Sequence, residues 1–324
     1  VQLSEINILK PARKIKRHKV KNIHAQLIQN GILYRGNLIF FSPESFEIEI
    51  QSRTLRSTNI FYPEAPITVT LLDDQQIKFS GECLIVRANK IKDTFKCVIK
   101  PAKFQIQKFS KKKYRANREK LVPSPNIVFI HPFTGNRVDL PVYDLSATGF
   151  SVEEDQKNSI LLPGMIISDL KIVISTGMEL KCKSQVLFRK EVKEDKNKPL
   201  ILNGFIILDM EASDHAQLLS IVFQAKNNKI HISKSLDPDA FWRFLFETGF
   251  IYPSKYDYLK DHKEEIKLTY KKLYIDTPDI ARHITYQERG EILGHVSILR
   301  TYENTWLMHH HAALNSSNRE AGLY

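Results

Sequence analysis

The sequence predicts a multidomain, mainly β protein that ends in an α+β region, and three observations carry the prediction. Short runs alternating apolar and polar residues recur from about residue 22 to residue 208, the pattern of strands with one buried face. The length, 324 residues, exceeds the size at which single cores stop growing, so two or three domains are expected. After Asn227-Asn228 the spacing of apolar residues turns helical, which marks a change of architecture.

Composition bounds the rest. Hydrophobic residues at 42% and charged residues at 26% describe a globular chain rather than a disordered or membrane-embedded one. A net charge of +12 favours anionic partners: nucleotides, nucleic acid or an anionic membrane surface. The three cysteines, Cys83, Cys97 and Cys182, lack metal-ligand spacing and are odd in number, so the expectation is a reduced, cytoplasmic protein. No apolar run approaches the ~20 residues that span a bilayer, and no secretory signal is present. The chain opens on Val1 and closes on Tyr324, which reads as part of a longer polypeptide.

Residues 1–21 form a basic lead-in, with Lys10, Arg13, Lys14, Lys16, Arg17, His18, Lys19 and Lys21. Lacking interleaved aromatics, it reads as a solvated helix or extension rather than as a phosphate-binding platform. Residues 22–106 hold alternating runs at Gly31–Gly36, Phe46–Ile50, Ile67–Leu71, Gln76–Phe79 and Thr94–Ile99, punctuated by Pro63–Pro66 and Asp73-Asp74. That pattern predicts an antiparallel barrel or sandwich. Residues 107–226 add strands at Asn126–Ile130, Arg137–Val142, Phe150–Glu153, Ile166–Ile174, Leu180–Phe188 and Leu200–Leu208, with the charged segment Lys193–Lys198 as a hairpin tip. A helix closes the block: Ser213 is its expected N-cap, and Leu218, Leu219, Val222 and Phe223 form a stripe suited to plugging a barrel end. In residues 230–324, Asp237-Pro238 predicts a capped helix with Phe241, Trp242, Leu245 and Phe246 on its buried face and Gly249 as its stop. A second helix is expected over about Lys260–Leu273, then strands over Ile280–Tyr286, Ile292–Leu299 and Thr305–Leu314.

The strongest functional signal is Asp144-Leu145-Ser146-Ala147-Thr148-Gly149-Phe150, between two strand-like runs. Asp144 and Ser146 are two apart, so on an extended chain both leave the same face, one with two acceptors and the other with a donor and an acceptor. Gly149 allows an unusual φ or a close approach to a ligand where the chain turns into the next strand. Taken alone, the segment reads as an ordinary Asp-x-Ser turn, in which Asp bonds its own backbone two residues on. Upstream lies a basic arm, Lys108-Phe109-Ser110-Lys111-Lys112-Lys113-Tyr114-Arg115-Ala116-Asn117-Arg118. Arginine pairs bidentately with phosphate or with the acceptor edge of guanine, and its flat face stacks on a base.

A basic arm followed by a β-run and Asp-x-Ser-x-x-Gly resembles the PilZ domain, the bacterial receptor family for cyclic di-GMP. Asp144-x-Ser146-x-x-Gly149 matches the second motif of that family in full. The first motif, normally Arg-x-x-x-Arg, stands here as Lys111-x-x-x-Arg115, and the lysine keeps the charge but loses the guanidinium fork. Arg118 supplies a further guanidinium if the arm shifts register. The resemblance implies a six-stranded β barrel with a closing helix, cyclic di-GMP as ligand, and Lys111, Arg115, Arg118, Asp144, Ser146 and Gly149 as its contacts. The β-rich block ahead of it is similar in layout to the flagellar-brake group.

The C-terminal region, with its Gly294-His295-Val296 strand, looks like the first half of a GNAT-type acyltransferase. No Gln/Arg-x-x-Gly-x-Gly/Ala pattern is present, so acyl-CoA binding is expected only in a longer chain. No complete catalytic motif is identified, and no metal site is expected. In a regular strand His309 and His311 share a face while His310 takes the other, so only two could meet one ion. His295 reads as a satisfied strand histidine and Trp242 as core. The function that follows is a cyclic di-GMP receptor in which ligand alters how neighbouring domains pack and signals to a protein partner not identified by sequence. The alternative is an acyltransferase regulated by the same nucleotide. Specific nucleic-acid binding is disfavoured, because the cations precede an acidic-polar turn instead of lining one face.

Overall fold

The computed structural model describes residues 16–51, 61–62, 65–91, 93–103, 117–195, 198–232, 237–288, 291–303 and 305–314. The chain divides into two compact units. The first holds residues 1–115, Ser124–Asp144 and Thr148–Asp209, and the second holds Ala116–Pro123, Leu145–Ala147 and Met210–Tyr324.

The first unit contains two antiparallel sheets. One is built from β1 (His18–Lys19), β2 (His24–Gln29), β3 (Ile32–Ser42), β4 (Ser45–Gln51), β5 (Ile67–Asp73), β6 (Gln76–Ile91) and β7 (Thr94–Pro101), in the order β1-β3-β2-β5-β6-β7-β4. A further pairing of β3 with β4 brings β2–β7 back on themselves. The predicted alternation is realised residue by residue: Phe46, Ile48 and Ile50 of β4, Ile67, Val69 and Leu71 of β5, and Phe95, Cys97 and Ile99 of β7 are buried while their neighbours are not. Asn30 and Gly31 both take positive φ, 50° and 78°, the two-residue hairpin geometry whose twist matches the flanking strands β2 and β3.

The basic lead-in departs from expectation at its end. Residues 1–15 lie outside the described residues. His18 and Lys19 are strand residues paired with Phe41 and Phe40. The Arg17 guanidinium lies 4.9 Å from the Phe40 ring centroid and 2.5 Å from Glu47. The aromatic partners come from another strand, so no interleaving appears in the local sequence.

The second sheet of this unit is a closed six-stranded barrel, β10-β13-β12-β11-β8-β9. Its strands are β8 (Asn126–Ile130), β9 (Arg137–Ser146), β10 (Gly149–Asp155), β11 (Ile166–Ser175), β12 (Met178–Asp195) and β13 (Lys198–Met210). Its core includes Phe129, Phe150, Leu170, Val186 and Phe205, with Phe150 stacked on Phe205 at 4.7 Å. The two sheets meet along a bonded seam. Phe79 and Met165 form an antiparallel bridge, Ser80 N donates to Gly164 O, and Gln185 Nε2 donates to Ser80 O at 3.2 Å and to Gly164 O at 3.1 Å. Phe41 packs against His131 and Phe133, each at 5.2 Å between ring centroids.

In the second unit, α1 (Ala212–Lys226) and β14 (Ile230–Ile232) precede α2 (Pro238–Glu247), α3 (Pro253–Leu259) and α4 (Lys263–Lys271), then β15 (Ala281–Glu288), β16 (Glu291–Tyr302) and β17 (Thr305–Ala313). The strands form an antiparallel sheet in sequence order. The N-cap of α1 is Glu211 rather than Ser213, without a side-chain capping bond, since the helix begins a residue earlier than Ser213. α2 matches its prediction: Asp237 accepts from Asp239 N, Pro238 opens the helix, and Gly249 leaves it at φ 72°. The single helix expected over Lys260–Leu273 is broken. Pro253 starts α3 earlier, a 3₁₀ turn spans Lys260–His262, and a π turn at Lys272–Asp276 ends the segment. Phe241, Trp242 and Leu245 are core, as their spacing predicts. No helix among the described residues is long and apolar enough to cross a membrane.

Candidate functional site

The Asp-x-Ser-x-x-Gly segment forms the end of β9, a two-residue turn at Ala147-Thr148, and the start of β10. Asp144 is half-buried, Ser146 is 3% exposed and Gly149 is buried. Gly149 is not among the residues of positive φ, so its need is one of space. It pairs with Ile206 of β13, and a Cβ on it would overlap the Phe205 carbonyl oxygen. The expected unusual φ is therefore replaced by a close approach to backbone. The turn continues the bonding, since Ile207 N donates to Thr148 O at 3.0 Å.

Lys111 and Arg115 lie outside the described residues. The end of the basic arm does reach the motif. Glu119 and Leu145 form an antiparallel bridge, Glu119 N to Leu145 O at 2.9 Å and Leu145 N to Glu119 O at 3.0 Å. In that register Arg118 lies level with Ser146; Arg118 and Lys120 are both exposed. Lys120 was not singled out by sequence reasoning, and the bridge that places it has no local signature.

The turn has a second attachment that the sequence does not announce. His215 of α1 approaches Ala147 O with Nε2 at 3.1 Å, and Arg282 of β15 approaches His215 Nδ1 with Nη1 at 3.3 Å. Burial lowers the His215 pKa, the Ala147 carbonyl opposes the shift, and the Arg282 charge adds to it.

Nearby in the barrel, Glu154 of β10 is 3% exposed and accepts from Ser159 Oγ at 2.7 Å, Asn203 Nδ2 at 2.8 Å, and the Ile160 and Leu161 amides at 3.0 and 3.3 Å. Burial raises its pKa against the pull of those four donors. This carboxylate fastens the segment after β10.

The C-terminal histidines form a chain instead of a cage. His283 Nε2 lies 2.8 Å from His295 Nδ1, His295 Nε2 lies 3.2 Å from His310 Nδ1, and His310 Nε2 lies 3.4 Å from Tyr274 Oη. His295 spends both ring nitrogens on neighbours, as expected of a satisfied strand histidine. A bulge corrects the predicted alternation of faces. Ser297 pairs with His310 and Ile298 with Met308, which leaves His309 as the extra residue, and its Nδ1 also comes to 3.5 Å from Tyr274 Oη. Burial lowers the pKa of His295 to about 3 and of His310 to about 4, and that of His283 well below the usual imidazole value. Among the described residues no group of three or more His, Cys, Asp or Glu is placed to hold a metal ion.

No protein-family model and no curated protein matches the chain. Several solved structures match the chain at low identity. MrkH of K. pneumonia matches at 10% identity over 64% of this chain and 87% of that one, TM-score 0.31. The PilZ domain of YcgR from Escherichia coli, solved with cyclic di-GMP, matches at 19% identity over 36% of this chain and 94% of that one, TM-score 0.31. The inhibitor of motility MotI/DgrA of Bacillus subtilis matches at 13% identity over 65% of this chain and 98% of that one, TM-score 0.30.

Proposed function

We propose that the chain is a cyclic di-GMP receptor of the PilZ type, binding the nucleotide between the basic arm and the β9–β10 turn. One observation supports this reading above the others: Asp144-x-Ser146-x-x-Gly149 occupies a hairpin of a closed six-stranded antiparallel barrel, with the end of the arm bonded to the same strand through Glu119 and Leu145. In the proposed site Asp144 and Ser146 take the donor edge of a guanine, and Lys111, Arg115 and Arg118 take phosphates and the acceptor edge. The arm also joins the first sheet of the chain to the barrel in sequence, so ordering it around a nucleotide changes how those parts face one another.

Calorimetry with cyclic di-GMP tests the reading. Each charge-assisted bond lost costs about 1.5–3 kcal/mol, roughly ten- to more than a hundredfold in affinity. Arg115→Ala and Asp144→Ala should each weaken binding by that factor. Absence of binding by the unaltered chain at high micromolar nucleotide overturns it.

A second reading, an acyl-CoA-dependent N-acyltransferase regulated by the nucleotide, is favoured by the element order: α2–α4 stand between β14 and the successive antiparallel strands β15, β16 and β17. The sequence lacks the Gly-rich cofactor pattern, so this chain should give no heat with acetyl-CoA, and heat in that titration would favour the transferase reading.

A further inference from the structure

The pair His215–Arg282 touches the candidate turn without belonging to its motif. A carbonyl only accepts, so the bond to Ala147 O requires a proton on His215 Nε2; in the neutral ring Nδ1 is then an acceptor, and Arg282 supplies the donor. Arg282 is 6% exposed and fixed on several sides. Its Nη2 donates to Ala212 O at 3.1 Å, its Nε to Pro278 O at 3.4 Å, and its guanidinium lies 4.5 Å from the Trp306 ring centroid. The arginine thus selects the tautomer of His215 and holds the ring, and the ring holds the carbonyl. Leu145–Ala147, α1 and the C-terminal sheet all belong to the second unit.

We propose that His215 and Arg282 are positioning residues for the Leu145–Ala147 segment of the turn and thereby regulate how tightly the motif holds a nucleotide. The inference rests on the cyclic di-GMP reading for its ligand, though not for its geometry. Ala147 follows Ser146 directly and stands two residues before Gly149, so a peptide released there changes the angle at which the motif side chains leave the turn. A pre-held turn binds without the cost of ordering it. Loss of one neutral hydrogen bond corresponds to about three- to tenfold in affinity.

The full chain is compared with His215→Leu, His215→Gln and Arg282→Leu, first without ligand. Amide hydrogen exchange over Ser146–Phe150 should quicken about three- to tenfold in both leucine variants and return towards the original rate in His215→Gln, whose side-chain amide donates to the same carbonyl. Cyclic di-GMP affinity should follow the same order. A general loss of structure would not be rescued by glutamine. Unchanged exchange in His215→Leu overturns the clamp whatever the ligand does. Faster exchange with unchanged nucleotide affinity overturns its regulatory role. If the unaltered chain takes up no nucleotide while the exchange pattern holds, the clamp stands and only the ligand reading falls.

Discussion

At the scale of single residues, the motif is less uniform than its spacing implies. Gly149 is demanded by the Phe205 carbonyl of the facing strand, so it would be needed even in a barrel that bound nothing. Asp144, half-buried at the end of β9, is the probe of ligand binding that leaves this close approach untouched. In the proposed site, Lys111 is where the first motif departs from Arg-x-x-x-Arg. A lysine meets phosphate as a point charge, whereas arginine matches it with a planar fork. Lys111→Arg should therefore tighten cyclic di-GMP binding by about tenfold, measured by calorimetry on the full chain. Equal or weaker affinity would assign the contact to Arg118, which the Glu119–Leu145 bridge brings level with Ser146. The motif was legible because its chemistry is contiguous. His215 was not, because it meets Ala147 across 68 residues of sequence, and an isolated histidine on a helix has no spacing that betrays its partner.

At the scale of elements, the strands of the barrel and of the first sheet were legible wherever one face is buried, since alternation then reports the pleat directly. β1 was not, because a charged edge strand of two residues carries no alternation. The break between α3 and α4 was missed for a related reason: apart from the inward Ile266 and Tyr270 the segment is rich in Lys and Glu, and Pro253 rather than periodicity sets where helix begins. The bulge at His309 defeats a strict period of two and gathers histidines that regular strands would separate. This has a consequence for pH. His283, His295 and His310 have folded pKa values below those of the unfolded chain, so unfolding takes up protons once the pH falls beneath about 6.5. Their stabilisation is complete above that value and is lost on acidification towards pH 4. Each histidine that titrates contributes a slope of about 1.4 kcal/mol per pH unit. Denaturant unfolding at pH 7.5, 6 and 5, with hydrogen exchange resolving β15–β17, should show this sheet weakening first. A sheet equally protected at pH 5 and 7.5 would mean that the imidazoles accept protons without leaving their chain.

At the scale of the whole molecule, the +12 charge gives the proposed switch its driving force. Lys111, Lys112, Lys113 and Arg115 repel one another, and two ligand phosphates neutralise much of that repulsion at distances shorter than the Debye length. A tenfold shift between two arrangements requires about 1.4 kcal/mol of differential binding, which one or two arginine contacts made in only one of them supply. Small-angle scattering should therefore register smaller dimensions with cyclic di-GMP, and proteolysis after Lys111–Arg118 should slow. Dimensions and cleavage unaffected by a ligand that does bind would remove the switch and leave a static receptor.

The seam between the first sheet and the barrel bears on how this protein can be taken apart. Ser80, Gly164 and Gln185 satisfy one another's polar groups across it, and Phe41 covers His131 and Phe133. A barrel expressed from residue 107 onward would carry those aromatic rings and bare strand carbonyls into water, an invitation to stick to its own copies. Whatever binds to the barrel should therefore be sought on a polypeptide that still includes residues 16–103.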